Sequence, residues 1–107
     1  MSPGGGGADA MPSYITLWEY TQQGVENVRE SPDRIDTIEE LFEEMGGELQ
    51  EFYMLMGQYD TITISEFPDD ETAAQAILAV TEQGYVTSET LKAFSREATW
   101  ELIDGLP

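Results

Sequence analysis

The 107-residue sequence predicts an α+β fold: a four-stranded antiparallel sheet, two helices on one face of it, and a short helix after the last strand. Three observations lead there. Four segments alternate with the two-residue period of strands. Two others repeat apolar residues at three- and four-residue steps. Glycine or proline punctuates most of the junctions between them. A chain of this length makes one domain, and its 40% apolar residues are enough for a single core.

The first strand runs from Tyr14 to Tyr20, with Ile15 and Leu17 on one face and Tyr14, Thr16, Trp18 and Tyr20 on the other. Thr21-Gln22-Gln23-Gly24 breaks the alternation, and Val25 with Val28 suggests one irregular turn. Ser31-Pro32 reads as a helix start, the hydroxyl at the N-cap and the proline at the first helical position. Ile35, Ile38, Phe42 and Met45 form its apolar stripe, and Gly46-Gly47 ends it. A second strand spans about Leu49 to Met56 and a third Thr61 to Phe67, joined as a hairpin by Gly57-Gln58-Tyr59-Asp60.

Pro68-Asp69 opens a second helix, with Ala73, Ala76, Ile77 and Val80 on its inner face and Gly84 closing it. The small alanines let that helix sit close to a sheet. The fourth strand is Thr87 to Phe94, and Ser95 caps a last helix with Trp100 and Ile103 pointing inward. This order of elements is the ferredoxin-like split arrangement, βαββαβ.

With both helices on one face, the other is bare in a monomer. The expectation is that the aromatic side is the bare one, carrying Tyr14, Trp18 and Tyr20 with Phe52, Met54 and Met56. Soluble monomers do not expose patches of that size. A homodimer with sheets packed face to face is the expected solution; the alternative is that the Trp100 helix folds back over the patch.

Residues 1–10, with four consecutive glycines from Gly4 to Gly7, read as a flexible tail before a single domain at 11–107; Met11 is an alternative start. No segment has the apolar run of a signal peptide or a membrane span, so the expected location is cytoplasmic.

Twenty-two acidic residues against four basic ones give a net charge of −18. The chain lacks Cys and His, which excludes disulfides, thiolate zinc sites, Cys nucleophiles, Ser-His-Asp triads and His-ligated haem. So acidic a surface also argues against nucleic acid as partner, because phosphate binding runs on Lys and Arg. The acids are spread over every helix and loop, which fits neither a nucleic-acid mimic nor, given the aromatic content, disorder. Adaptation to molar salt accounts for them best, with Lys92 the single lysine beside Arg29, Arg34 and Arg96. Glu39, Glu40, Glu43 and Glu44 then read as solvated surface, and no EF-hand spacing supports a metal site.

From Met11 to about Ile103 the sequence resembles the GYD domain family. The residues that carry the resemblance are Gly57, Tyr59 and Asp60, with Tyr14, Thr21, Gly24, Asn27, Ser31-Pro32 and Arg34 before them. Gly46-Gly47, Tyr53, Met56, Pro68-Asp69 and Thr90-Leu91-Ala93 complete it. The resemblance implies a dimeric α+β barrel and supplies no molecular function. The acidic surface and the Gly-rich leader depart from the family pattern.

The candidate ligand-binding residues are Trp18, Tyr53, Tyr59, Asp60 and Lys92. Trp18, Tyr20, Tyr53 and Lys92 are candidates for a cavity wall, or for plain dimer packing. Tyr59 and Asp60 either stand at a pocket mouth or serve the turn, where Gly57 relieves a positive φ and Asp60 accepts backbone N–H bonds. Arg34, in a helix first turn against the dipole, calls for a partner: a nearby acid, another subunit or an anionic ligand.

Two functions compete. One is a homo-oligomeric module that binds a small molecule, without cofactor, in a regulatory or sequestering role. The other is a cofactor-independent enzyme, monooxygenase- or isomerase-like, using Asp60, Tyr59 or Lys92 for acid–base work. A purely structural oligomerisation unit is the third reading. The charge also makes a prediction. The melting temperature rises as KCl is raised from roughly 0.1 M to roughly 3 M, the range over which screening becomes complete; a flat profile by circular dichroism contradicts salt adaptation.

Overall fold

The computed structural model describes residues 11–107; the expected tail at 1–10 lies outside the described residues. β1 (Ser13–Tyr20) is followed by a one-turn helix α1 (Gln22–Glu26), a 3₁₀ turn (Val28–Glu30) and α2 (Ser31–Glu44). β2 (Glu48–Met54), β3 (Thr61–Glu66), α3 (Asp70–Thr81), β4 (Val86–Ala93) and α4 (Arg96–Asp104) complete the chain. The strands form one antiparallel sheet in the order β2-β3-β1-β4. This is the ferredoxin-like α+β arrangement the sequence predicts.

One helix start differs in detail. Pro68-Asp69 opens α3 as expected, the Asp69 carboxylate accepting from the Thr72 N–H at 2.8 Å. Ser31 does not cap α2; it is the first helical residue, because the preceding 3₁₀ turn already supplies the approach. The Gly46-Gly47 stop is as predicted. Gly46 has φ +85°, and the Gly47 N–H reaches back to the Phe42 carbonyl at 2.8 Å.

The faces of the sheet are the reverse of the expectation. Tyr14, Thr16 and Trp18 are buried beneath the helices, together with Thr61, Thr63 and Ser65 of β3. α2 contributes Ile38 and Phe42 to that core, α3 contributes Ala73, Ala76 and Val80, and Phe67 fills the space between them. Phe42 and Phe67 meet edge to face, 4.9 Å between centroids. The alanines at Ala73 and Ala76 are fully covered, as their small size predicts.

The bare face is therefore the aliphatic one. Register places Ile15 beside Ile64 and Leu91, and Leu17 beside Ile62, all on the side away from the helices. Phe52, opposite Thr63, joins the helix side, while Tyr53, opposite Ile62, lies on the bare side. A register shift between Leu49 and Glu51 makes this possible. The extra residue at Gln50 lets Leu49 and Phe52 face the same way although they are three apart.

The reversal has a physical reason. Trp and Tyr are buried where their polar tips find partners, and here they do. The Trp18 indole N–H donates to Thr63 Oγ1 at 3.0 Å, and the Tyr14 hydroxyl donates to Asp70. Thr16 and Thr90 bond to each other at 3.0 Å, which satisfies another hydroxyl of the covered face. Ser65 Oγ is the one buried side-chain atom left without a partner among the described residues.

α4 corrects a second expectation. Trp100 and Ile103, expected to point inward, are 59% and 52% exposed. The helix is capped by Ser95, which accepts from Ala98 N, but none of its residues is buried among the described residues. It does not fold back over the bare sheet face.

Glycine chemistry yields a test. A Cβ at Gly47 stands 2.5 Å from Phe67 Cδ1 and 2.6 Å from the Glu66 carbonyl, whereas one at Gly57 meets nothing within 4 Å. Gly47→Ala therefore costs about 1–3 kcal/mol in urea unfolding. Gly57→Ala changes stability by less than about 0.5 kcal/mol.

Candidate functional site

A cavity of about 40 Å³ lies between the sheet and the two long helices. β1 supplies Trp18 and Tyr20, α2 supplies Arg34, Ile35 and Ile38, and Tyr85 closes one side ahead of β4. Most of the wall is apolar. Its polar groups gather at Arg34, Ser31 and Tyr20, where the Tyr20 and Ser31 hydroxyls stand 3.4 Å apart, at the limit of a hydrogen bond.

Arg34 reaches this wall from the first turn of α2. Its guanidinium lies 4.1 Å over the Tyr85 ring and donates through Nη2 to the Asn27 carbonyl at 3.1 Å. The salt bridge that the sequence makes an obvious partner does not form. No carboxylate oxygen among the described residues lies within 4.0 Å of it.

Of the five candidate residues, Trp18 lines the cavity and the other four do not. Tyr53 is 54% exposed on the bare sheet face, its hydroxyl donating to Glu51 at 3.0 Å. Tyr59 donates to Glu89, a residue of that same face opposite Leu17. Both phenols are raised above their ordinary value, first by those carboxylate partners.

Asp60 has a structural task at the end of β1. Its carboxylate accepts from Tyr20 N at 2.7 Å, its N–H donates to the Trp18 carbonyl at 2.8 Å, and its own carbonyl accepts from Leu55 N at 2.8 Å. These bonds tie the β2–β3 connection to the strand that carries Trp18 and Tyr20. The amide it accepts from belongs to a neighbouring strand, not to its own turn. Gly57 has no positive φ: among the described residues, Gly46 and Gly84 do. Its expected role in relieving the turn is thereby corrected.

Lys92 stands opposite Tyr14 in the register, on the helix side, and its Nζ pairs with Asp70 Oδ1 at 3.0 Å. Asp70 thus receives both Tyr14 and Lys92, and those hydrogen bonds hold its carboxyl below the usual range. Burial, and then the bond to Asp70, push the Tyr14 phenol up to about 12. The cluster is a lock between β1, β4 and the start of α3, at a distance from the cavity wall. None of Asp60, Tyr59 and Lys92, the groups a catalytic reading relies on, lines the cavity. Among the described residues no cluster of three or more His, Cys, Asp or Glu is arranged to hold a metal.

The sequence pointed to Trp18, Tyr20 and Arg34. It carried no signal for Tyr85, which enters the site because Gly84, at φ +91°, turns the chain back from α3 toward β4.

Fold and cavity together define a small α+β domain with a mostly apolar cavity that has Arg34 in its wall. The family model described as "GYD domain" matches residues 14–103, and the chain belongs to that family. A relative from Thermus thermophilus, named glutamine synthetase and cystathionine beta-lyase binding protein, is 33% identical over 84 residues. That match covers 78% of this chain and 88% of the relative.

The Tyr14–Asp70 lock predicts a pH dependence at both extremes. Tyr14 is raised, so its contribution is complete below the ordinary phenol value of 10.0 and lost as pH climbs through about 12. Asp70 is lowered, so its contribution is complete above the ordinary carboxyl value of 3.8 and lost as pH falls below it. In an alkaline absorbance titration the last of the five tyrosines ionises near 12. Asp70→Asn lowers that midpoint but leaves it above 10.0, because burial is the larger cause.

Proposed function

We propose that this protein is a homo-oligomeric, non-catalytic binding module that acts on metabolic enzymes, with the sheet–helix cavity taking a small regulatory molecule. The reversed sheet is the observation that carries the assembly. Ile15, Leu17, Ile62, Ile64 and Leu91 make a contiguous aliphatic stripe on a face that no helix among the described residues covers. A second copy, related by a twofold axis, matches that stripe with itself and closes the two sheets into a dimeric α+β barrel. Tyr53–Glu51 and Tyr59–Glu89 flank the stripe and form the polar rim.

The relative's name supports the second half of the reading, since it describes a protein that binds two enzymes. With a net charge of −18 per copy, assembly is favoured where salt screens the repulsion, in keeping with a cytoplasm of high ionic strength. No helix among the described residues is long and apolar enough to cross a membrane.

Light scattering after size exclusion in molar KCl tests the assembly. The wild-type protein runs as a dimer or larger, and Leu17→Glu runs as a monomer with unchanged far-ultraviolet circular dichroism. A wild-type monomer overturns the proposal. Purified glutamine synthetase and cystathionine β-lyase, titrated against the protein, test the partner class directly.

A further inference from the structure

We propose that the cavity is a carboxylate site: Arg34 pairs with the carboxylate of a short-chain monocarboxylic acid whose hydrocarbon part lies against Trp18 and Ile38. The proposal rests on the small-molecule reading of the cavity given above and names the class of ligand.

The argument begins with charge placement. In a chain of 22 acidic residues, the cavity wall contains none, and its one formal charge is Arg34. An anion entering there meets no carboxylate in the wall. Arg29 and Arg96 are exposed to water and Lys92 is paired with Asp70, whereas Arg34 is half-buried. A guanidinium has five N–H donors. The described residues account for one of them, at Asn27, and for one π face, at Tyr85. The position is also unfavourable, because a cation in the first turn of α2 opposes the helix dipole. A bidentate carboxylate satisfies two of the remaining donors and offsets that cost.

Neighbouring groups fit the same ligand. The Tyr20 and Ser31 hydroxyls, barely in contact with each other, are donors for a carboxylate oxygen. Beyond them the wall turns apolar, with Trp18, Ile35, Ile38 and Val86. One cation beside an apolar lobe selects a monoanion with a hydrocarbon tail over phosphate, which needs more donors. Size narrows the class further. The cavity is small, about 40 Å³, which suits a chain of a few carbons better than a nucleotide.

The experiment uses the full chain in molar KCl with Trp100→Phe, which leaves Trp18 as the one indole; the substituted residue is exposed and far from the cavity wall. Trp18 emission is titrated with butyrate and, separately, with butyramide, its neutral isostere. Butyrate changes the emission saturably, butyramide binds at least about tenfold more weakly, and Arg34→Gln removes that difference. Equal binding of the two probes overturns the carboxylate assignment while leaving the cavity a ligand site. Because that comparison is made in a protein with Arg34 intact, it does not depend on how well Arg34→Gln folds. Silence with butyrate, butyramide and 1-butanol alike overturns the small-molecule reading itself.

Discussion

The bond from the Trp18 indole to Thr63 organises this molecule. It spans two central strands at 3.0 Å, on the covered side of the sheet, and it determines which side that is. An indole N–H has no acceptor in a hydrocarbon core, so a buried Trp needs a hydroxyl within reach. β3 supplies a row of them at Thr61, Thr63 and Ser65, and β1 adds Thr16. With hydroxyls on the sheet and aromatic or aliphatic groups on the helices, the covered layer holds both polar tips and apolar bodies. Everything aliphatic on β1 and β3 is then directed outward.

That outward stripe links the fold to the proposed assembly. An ordinary one-sided sheet shows polar residues to water; this one shows isoleucine and leucine. The same packing leaves a small cavity where the helix layer stops short of the sheet, between Trp18, Ile38 and Tyr85. Asp60 fixes the strand end beside it by accepting the Tyr20 amide and donating to the Trp18 carbonyl. Two of the three residues that give the family its name thus lie outside the cavity wall: Asp60 holds a strand, and Tyr59 borders the outer face.

Arg34 shows how a global property and a local one can oppose each other. The chain carries 22 acidic residues, yet the one charge in its cavity wall is positive, and no carboxylate oxygen among the described residues lies within 4.0 Å of it. Tyr85 holds the guanidinium from its π face, a contact that leaves its N–H edge available. Lys92 has the opposite character. It is spent on Asp70 in a cluster that also holds Tyr14, and that cluster joins the first and last strands to the start of α3.

The element order, the helix stops at Gly46 and Gly84, the helix start at Pro68-Asp69 and the inner face Ala73, Ala76 and Val80 were all legible in the sequence. Each depends on chemistry within a few residues: a positive φ, a side chain reaching its own backbone, a period of 3.6. The alternation on β1 was legible too, as two distinct faces. Which face the helices cover was not, because that choice depends on partners more than forty residues away, Thr63 for Trp18 and Asp70 for Tyr14. Apolar pattern alone puts Ile15 and Leu17 inside; long-range hydrogen bonding puts Tyr14 and Trp18 there instead. The bond from Asp60 to Tyr20 and the meeting of Arg34 with Tyr85 were decided the same way, by contacts that exist only after distant elements have packed.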